Sequence, residues 1–381
     1  MRPVQLTFVL ILCVAVFFSG IAFTNCIKNE SDNTSAAQSE EVNQEKQNES
    51  ISATDNTKPT VVVLSTGGTI AGSGEAGKST GYQSGAISGD DLVDSVPQLL
   101  QYANIVTEEV CNVNSDDITA ELWIKLSNRI TELSKNEKVK GFVITHGTDT
   151  MEETAYFLNL TAKTDKPIVI TGSMRPSTAV SPDGPSNLLE AVKVACDDES
   201  SNRGVLCVFS DLIYPARTFS KTSSYAIEAM SSGDTGACGI VRDDGIYFFN
   251  ETTYKHTTET EFDVSDTDSL PEVNTVYFEV DANPNLLTQA LEMSSGIVIN
   301  GAGAGEYNNE FKEIIANTDK PVMITSHSGN GTITQNSTLL PKKTVACSYL
   351  TSQKAQVLLR LCLLKNPNIS FDELLRIAEE Y

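Results

Sequence analysis

Continuous apolar runs, rather than alternating ones, are the main pattern in the first two thirds of the chain. Four of them are rich in β-branched residues: residues 60–65, 141–145, 167–171 and 205–210. Such runs are typical of strands buried on both faces, as in a parallel sheet. Segments with apolar residues at helical spacing alternate with these runs: residues 91–102, 119–135, 152–161 and 186–196.

A polar, turn-rich stretch at residues 251–272 interrupts this pattern. Beyond it, short apolar runs and helical patterns alternate again. We therefore predict an α/β fold with two domains. The larger N-terminal domain, with a mostly parallel sheet, covers residues 59–250, and the smaller C-terminal domain, with its own parallel sheet, covers residues 273–381. Residues 251–272 are interpreted as the interdomain linker.

The first 58 residues differ from the rest in pattern. Residues 1–26 combine Arg2 with an apolar run at residues 6–23, which resembles a secretory signal peptide. The run is also close to the roughly 20 residues that span a bilayer, so a retained membrane anchor is an alternative. A lipoprotein modified at Cys26 is a third. Residues 27–58 are polar and predict a disordered linker. All three readings predict an extracytoplasmic protein: secreted, periplasmic or anchored at the outer face of a membrane.

Composition narrows the functional classes. The chain has 381 residues, 40% of them hydrophobic, and a formal net charge of −23. Such acidity repels phosphate backbones and argues against a nucleic-acid partner. Its eight cysteines show no metal-ligand spacing, so we predict no metal site and interpret most of them as buried free thiols. Disulfides remain an alternative.

Candidate chemistry is expected beyond the carboxyl ends of the strands, where open parallel sheets bind ligands. One strand runs into Thr66-Gly67-Gly68-Thr69, whose glycines allow close approach of a ligand and whose threonines offer a nucleophilic hydroxyl. An ordinary strand-to-helix turn with capping threonines is the alternative. The glycine-rich stretch that follows, at residues 72–85, predicts either a lid over the substrate or a surface loop.

A second strand runs into Thr145-His146-Gly147-Thr148-Asp149. Thr148 is a candidate nucleophile or proton shuttle, and Asp149 a candidate ligand of a substrate ammonium group or a helix N-cap. We interpret His146 as structural rather than as a base. Glu152 and Glu153 fit stabilisation of the helix N-terminus.

Together the two signatures closely resemble those of the bacterial-type L-asparaginases, particularly the type II enzymes. The resemblance extends over nearly all of residues 59–381 and includes the motifs at residues 172–177, 181–188 and 202–206. It implies hydrolysis of L-asparagine to L-aspartate and ammonia through a threonine acyl-enzyme, without a metal or organic cofactor. It also implies a homotetramer built from close dimers.

The resemblance assigns roles to five catalytic residues. Thr69 is the implied nucleophile and Tyr82 its partner from the lid. Thr148, Asp149 and Lys221 form a second hydrogen-bonded triad, in which burial would favour a neutral amine on Lys221. Which threonine forms the acyl bond is left open, with Thr69 preferred. Read without the resemblance, Lys221 is an ordinary solvated lysine.

Substrate binding is implied for Ser115, Asp116, Thr148 and Asp149, with Ser115 on the α-carboxylate and Asp149 on the α-ammonium. Asn283 is expected to supply an intersubunit contact. Relatives carry a glutamate in the region that matches residues 334–338, where this chain has no acid. Either Asp116 replaces that charge or affinity is weaker.

Two other functions stay open at this point. A glutaminase-asparaginase, which also accepts L-glutamine, shares the chemistry. A catalytically silent, tethered amino-acid binding protein is the other, although the threonines, Tyr82, Asp149 and Lys221 are all present. An amidotransferase subunit that serves transfer RNA shares the signatures, but the acidic spacer does not suit RNA binding.

Overall fold

The structure is a computed structural model that describes residues 49–55, 57–335 and 343–381. The predicted targeting segment at residues 1–26, with Cys26, lies outside the described residues, as does the predicted spacer from residue 27 to residue 48. No helix in the described part of the chain is long and apolar enough to cross a bilayer. Residues 55–381 form one compact unit, and residues 49–52, which belong to a separate unit, form a helical turn.

A large twisted sheet forms the centre of the N-terminal half. Its strands are β1 (Thr60–Gly67), β2 (Asn104–Val113), β3 (Val139–Thr145), β4 (Ile168–Thr171), β5 (Val205–Phe209), β6 (Leu212–Pro215), β9 (Gly239–Val241) and β10 (Ile246–Phe248). A separate hairpin comprises β7 (Ser220–Lys221) and β8 (Met230–Ser231). The sheet order is β10-β9-β6-β5-β4-β3-β1-β2, and β2, β1, β3, β4 and β5 run parallel. The predicted mostly parallel sheet is confirmed.

Helices cover this sheet. They are α1 (Gly89–Asp94), α2 (Ala120–Leu133), α3 (Met151–Thr161) and α4 (Gly184–Cys196). Leu188 and Val192 of α4 pack in one buried cluster with Val61 and Val143 of the central strands. Every residue of β1 is buried, which explains its uninterrupted apolar sequence.

The single helix predicted over residues 91–102 is wrong. The structure has α1 and then a separate 3-10 helix at Pro97–Gln101. Pro97 lacks a backbone N–H and disfavours the helical conformation of the residue before it. Val96 accordingly has φ −126° and ψ 68°, and the chain turns there.

The C-terminal half has its own parallel sheet. Its strands are β11 (Val273–Tyr277), β12 (Gly296–Gly301), β13 (Val322–Ser326) and β14 (Thr344–Ala346), in that order. Its helices are α5 (Pro284–Met293), α6 (Asn309–Ala316), α7 (Ser352–Lys365) and α8 (Phe371–Glu380). α7 packs on α3 of the larger half, so the two halves meet helix against helix. The smaller parallel domain is confirmed.

The segment interpreted as a linker, residues 251–272, is packed rather than extended. Phe262 is buried, and the Lys163 amine donates hydrogen bonds to the carbonyl oxygens of Thr257 and Thr260, at 3.2 and 3.0 Å. These bonds fix the segment to the end of α3.

Six cysteines of the described residues are free thiols: Cys111, Cys196, Cys207, Cys238, Cys347 and Cys362. The last four are buried, as the apolar sequence around them predicts, and the other two are half-buried.

Candidate active site

The first signature loop leaves β1 through two glycines that turn the chain sharply. Gly67 and Gly68 have φ of +100° and +80°, a region that favours glycine. A Cβ atom on Gly68 would lie 2.4 Å from Cα of Gly147 in the second signature loop. The two loops therefore touch main chain to main chain, and this contact brings their threonines to one place.

Thr69 follows this turn as the first residue of a buried 3-10 helix, Thr69–Ala71. Its hydroxyl oxygen lies 2.6 Å from the Tyr82 hydroxyl oxygen, and either group can be the donor. The Tyr82 ring packs where Gly72 has no side chain, because a Cβ atom there would lie 2.9 Å from Cδ2 of the ring. The first glycine after the signature thus makes room for the tyrosine that contacts Thr69.

Tyr82 belongs to a hairpin in the glycine-rich stretch that the sequence predicts to be a lid or a surface loop, and it contacts Thr69 from there. Ser73 and Gln83 pair across it through two main-chain hydrogen bonds of 3.0 and 2.9 Å. A second segment holds its tip, since Gly74 N donates to the Thr178 hydroxyl at 3.1 Å and Gly77 N to the Thr178 carbonyl at 2.8 Å. These hydrogen bonds to Thr178 hold the hairpin in place.

The second signature places a threonine, an acid and a lysine in contact. Lys221 Nζ donates to Thr148 Oγ1 at 2.8 Å and to Asp149 Oδ1 at 2.5 Å. Thr148 is buried, whereas the Asp149 side chain is 68% exposed to solvent. Helix α3 has Thr150 as its N-cap residue, so Asp149 is not the N-cap. Lys221 forms an ion pair with Asp149 rather than lying alone in an apolar pocket.

Ser115 lies against the contact between the two loops. It is buried, and a Cβ atom on Gly147 would lie 2.8 Å from its hydroxyl oxygen. Its carbonyl accepts a hydrogen bond of 2.6 Å from the Thr150 hydroxyl. Asp116 follows on the same 3-10 helix with its side chain exposed, which adds a carboxylate at the rim.

Two protein-family models match this chain. The model of the asparaginase N-terminal domain matches residues 60–254, and that of the glutaminase/asparaginase C-terminal domain matches residues 272–371. The chain is 40% identical to L-asparaginase 2 of Bacillus subtilis (strain 168) over 361 residues, which cover 93% of this chain and 95% of that protein.

The chain belongs to the asparaginase family. It is also 41% identical to L-asparaginase 2 of Escherichia coli (strain K12) over 312 residues, 80% of this chain and 89% of that one. The crystal structure of a probable cytoplasmic L-asparaginase from Campylobacter jejuni matches with a TM-score of 0.80 at 38% identity, covering 85% of this chain and all of that one.

In this asparaginase-family chain, Asn283 lies apart from the two threonine loops in sequence and in domain. It is exposed at the N-cap of α5 in the smaller half, where its side chain accepts from Asn285 N at 3.0 Å. Gln335, in the region where the family resemblance implies an acid, bonds to the main chain of Thr344 and Ala346 around β14, at 2.8 Å each. Residues 336–338 lie outside the described residues.

His146 is held in a buried chain of hydrogen bonds. Its Nδ1 lies 2.7 Å from the Gly147 carbonyl, which can only accept, so Nδ1 carries the proton. Nε2 then accepts from the Thr154 hydroxyl at 2.9 Å, and that oxygen accepts from the Trp123 indole at 2.8 Å. Both ring nitrogens are satisfied in the neutral tautomer, and burial lowers the pKa of His146 to about 4. This chain supports the structural interpretation of His146.

Glu152 and Glu153 lie in the first turn of α3, as predicted. Glu152 has a further role, because its carboxylate accepts a 3.1 Å hydrogen bond from Thr351 of the smaller half. Burial, together with the charge of Glu152, raises the pKa of Glu153 to about 7. The two acids thus belong to the interface between the halves as well as to the helix terminus.

Sequence reasoning did not find the residues that support the site from outside the signatures. Thr178 latches the lid, and Asn112 donates to the Gly85 carbonyl at the end of the lid, at 2.9 Å. Lys354 is fully buried and donates to the carbonyl of Phe219, two residues before Lys221. A lysine among the apolar residues of α7 was the one available signal for the last. Within the described residues, no group of three or more His, Cys, Asp and Glu side chains is arranged to hold a metal.

Proposed function

We propose that this asparaginase-family protein hydrolyses the side-chain amide of L-asparagine, releasing L-aspartate and ammonia. One observation carries the proposal: the Thr69–Tyr82 hydroxyl pair and the Thr148–Lys221–Asp149 triad lie on two loops in direct main-chain contact. A nucleophile with a proton acceptor at hydrogen-bond distance is what acyl transfer requires. The chain is an amidohydrolase of this family.

In the first half of the proposed reaction, Thr69 Oγ1 bonds to the amide carbon, its proton passes to the Tyr82 hydroxyl oxygen, and the phenolic proton of Tyr82 passes on to the leaving nitrogen. Loop main-chain N–H groups stabilise the oxyanion. The carbon–nitrogen bond breaks and the nitrogen leaves as ammonia with that proton. In the second half, a water molecule adds to the ester, its proton returns to Thr69, and L-aspartate is released. Thr148, on the second signature loop, and Lys221 serve as a proton relay on the side of the substrate that faces away from Tyr82.

The substrate α-ammonium group binds the Asp149 carboxylate, which is exposed and already oriented by Lys221. Ser115 binds the α-carboxylate. Asp116 adds a second negative charge for the ammonium and crowds the α-carboxylate, which affects the choice between L-asparagine and L-glutamine. The description of the matching C-terminal family model as glutaminase/asparaginase favours L-glutamine as a second substrate.

Other parts of the proposal rest on the family resemblance and on sequence. The chain assembles as a homotetramer of close dimers, in which Asn283 from the partner's smaller domain reaches the site. Residues 59–250 and 273–381 are the two domains, and residues 251–272 join them. Residues 1–26 direct the protein out of the cytosol, by cleavage, lipidation or anchoring.

Ammonia release by the full chain from L-asparagine and from L-glutamine tests the function. We expect faster ammonia release from L-asparagine than from L-glutamine. We also expect Thr69→Val to lower kcat by at least about a thousandfold. Thr66→Val is the matched control, because the Thr66 hydroxyl is bonded to the Thr145 carbonyl at 3.0 Å, and we expect it to lose less than about tenfold.

Each other outcome identifies an alternative. Faster turnover of L-glutamine indicates a glutaminase-asparaginase. A wild type that binds L-aspartate but releases no ammonia from either amide indicates a silent binding protein and refutes the proposal.

A further inference from the structure

The lysine of the second triad stands on a very short element. Lys221 and Ser220 form β7, which pairs with the two residues of β8 in an isolated hairpin. A two-stranded ladder of this length has little stability of its own in water. Yet Lys221 Nζ meets both Thr148 and Asp149 at hydrogen-bond distance. Something outside the hairpin must fix its position.

The residues that lead into β7 are bound from the smaller half of the chain. Lys354 Nζ donates to the carbonyl oxygens of Arg217, at 3.2 Å, and of Phe219. The Arg217 guanidinium in turn donates to the carbonyls of Tyr381, at 2.8 Å, and Ser348, at 3.2 Å. The segment before the lysine strand is therefore anchored by residues of the other domain.

Lys354 is an unusual side chain for the inside of a protein. It is completely buried on α7, and its ammonium lies 4.9 Å from the centre of the Phe219 ring. Its hydrogen-bond partners are main-chain carbonyls rather than carboxylates. Burial lowers its pKa to about 8, although the charges of Glu152 and Glu153 oppose that shift. Taking an ammonium out of water costs free energy. If packing were its only role, an apolar residue would fill the same space without that cost.

We propose that Lys354 is a positioning residue for Lys221. By holding the carbonyls of Arg217 and Phe219, its ammonium sets where β7 begins and so where the Lys221 amine reaches Thr148 and Asp149. This inference rests on the proposed amidohydrolase function.

The distances make the effect local. Phe219 is two residues before Lys221, and a strand advances about 3.3 Å per residue, so the fixed carbonyl lies within roughly 7 Å of the lysine backbone. A displacement of about 1 Å at a reacting group costs on the order of a hundredfold in rate. Loss of the ammonium leaves two buried carbonyls without their donor, and the segment has to shift to find new partners.

A double-mutant cycle tests this role. We expect Lys354→Met to lower kcat for L-asparagine at least tenfold in the wild-type background but less than twofold in a Lys221→Met background, because the two changes act through one group. Ammonia is measured at micromolar enzyme concentration, so that slow variants still register. If Lys354→Met does not fold, Lys354→Gln, which keeps one donor, replaces it with the same expected pattern.

Lys163→Met is the matched control. Its amine is also held by main-chain carbonyls, those of Thr257 and Thr260, but this segment does not lead to Lys221. We expect it to lower the melting temperature while kcat stays within twofold. An unchanged kcat in Lys354→Met, or an equal loss in both backgrounds, overturns the positioning role. A wild type without ammonia release overturns the proposed function instead.

Discussion

Neutral His146 links the stability of the fold to pH. The folded protein keeps this imidazole unprotonated down to a pKa of about 4, whereas in the unfolded chain the pKa returns to its ordinary value of 6.5. Between these values the unfolded state binds one more proton, so the stability contributed by this residue is complete above pH 6.5 and is lost as pH falls. At 1.36 kcal/mol per pH unit, lowering the pH from 7 to 5 removes about 2 kcal/mol.

Urea unfolding at pH 7 and pH 5 measures this effect. Trp123, the single tryptophan of the chain, donates to Thr154 in the same chain of hydrogen bonds, so its fluorescence reports the network directly. Other groups titrate in this range, and the difference between wild type and His146→Gln isolates the histidine. We expect the wild type to lose about 2 kcal/mol more than His146→Gln over this interval.

The control keeps the network intact. Thr154→Ser retains the hydroxyl that donates to His146 Nε2, and it should show the wild-type dependence on pH. If the profiles of wild type and His146→Gln are parallel, the imidazole is not held neutral by its surroundings, and the link between His146 and the pH dependence of stability is wrong.

Three further predictions concern the loops and the domain interface. Gly68→Ala places a methyl group 2.4 Å from Gly147 at φ +80°, so kcat should fall by about a hundredfold as the loops separate, and an unchanged kcat would show that they can move apart without cost. Thr178→Val removes the side-chain acceptor of Gly74 and should lower kcat/KM by up to about fivefold, the equivalent of one hydrogen bond, with unchanged unfolding. Glu153 binds a proton in the folded state up to a pKa of about 7, so its contribution to stability is lost as pH rises from 4.5 to 7. The stability of Glu153→Gln relative to wild type should therefore be greater at pH 8 than at pH 5. A difference between their urea midpoints that is the same at both pH values would contradict this.

The elements that sequence predicts best are those in which one physical rule dominates. The residues of β1 are apolar on both faces because the strand is covered on both faces, and the same rule gives the positions of β3, β4 and β5. The threonine loops follow from the rule that ligands bind beyond strand ends. Where two rules compete, the prediction fails, as at Pro97, which divides an otherwise helical pattern.

The supporting residues are invisible for a different reason. Thr178 is 104 residues from its hydrogen-bond partner Gly74, and Lys354 is 135 residues from its partner Phe219. No local pattern encodes such a contact. A tyrosine hydroxyl in a lid can polarise an attacking threonine, but a tyrosine in a glycine-rich stretch has many partners open to it, so the pairing of Tyr82 with Thr69 needs the family resemblance as well.

The contact between Gly68 and Gly147 has a consequence for how such a site evolves and can be redesigned. Both partners are main chain, so selection has no side chain through which to adjust the spacing of the two threonines in small steps. The reacting centre is inherited as a fixed unit. Directed evolution of amide preference therefore has to act on the exposed rim, where Asp116 and the tip of the hairpin that carries Tyr82 lie.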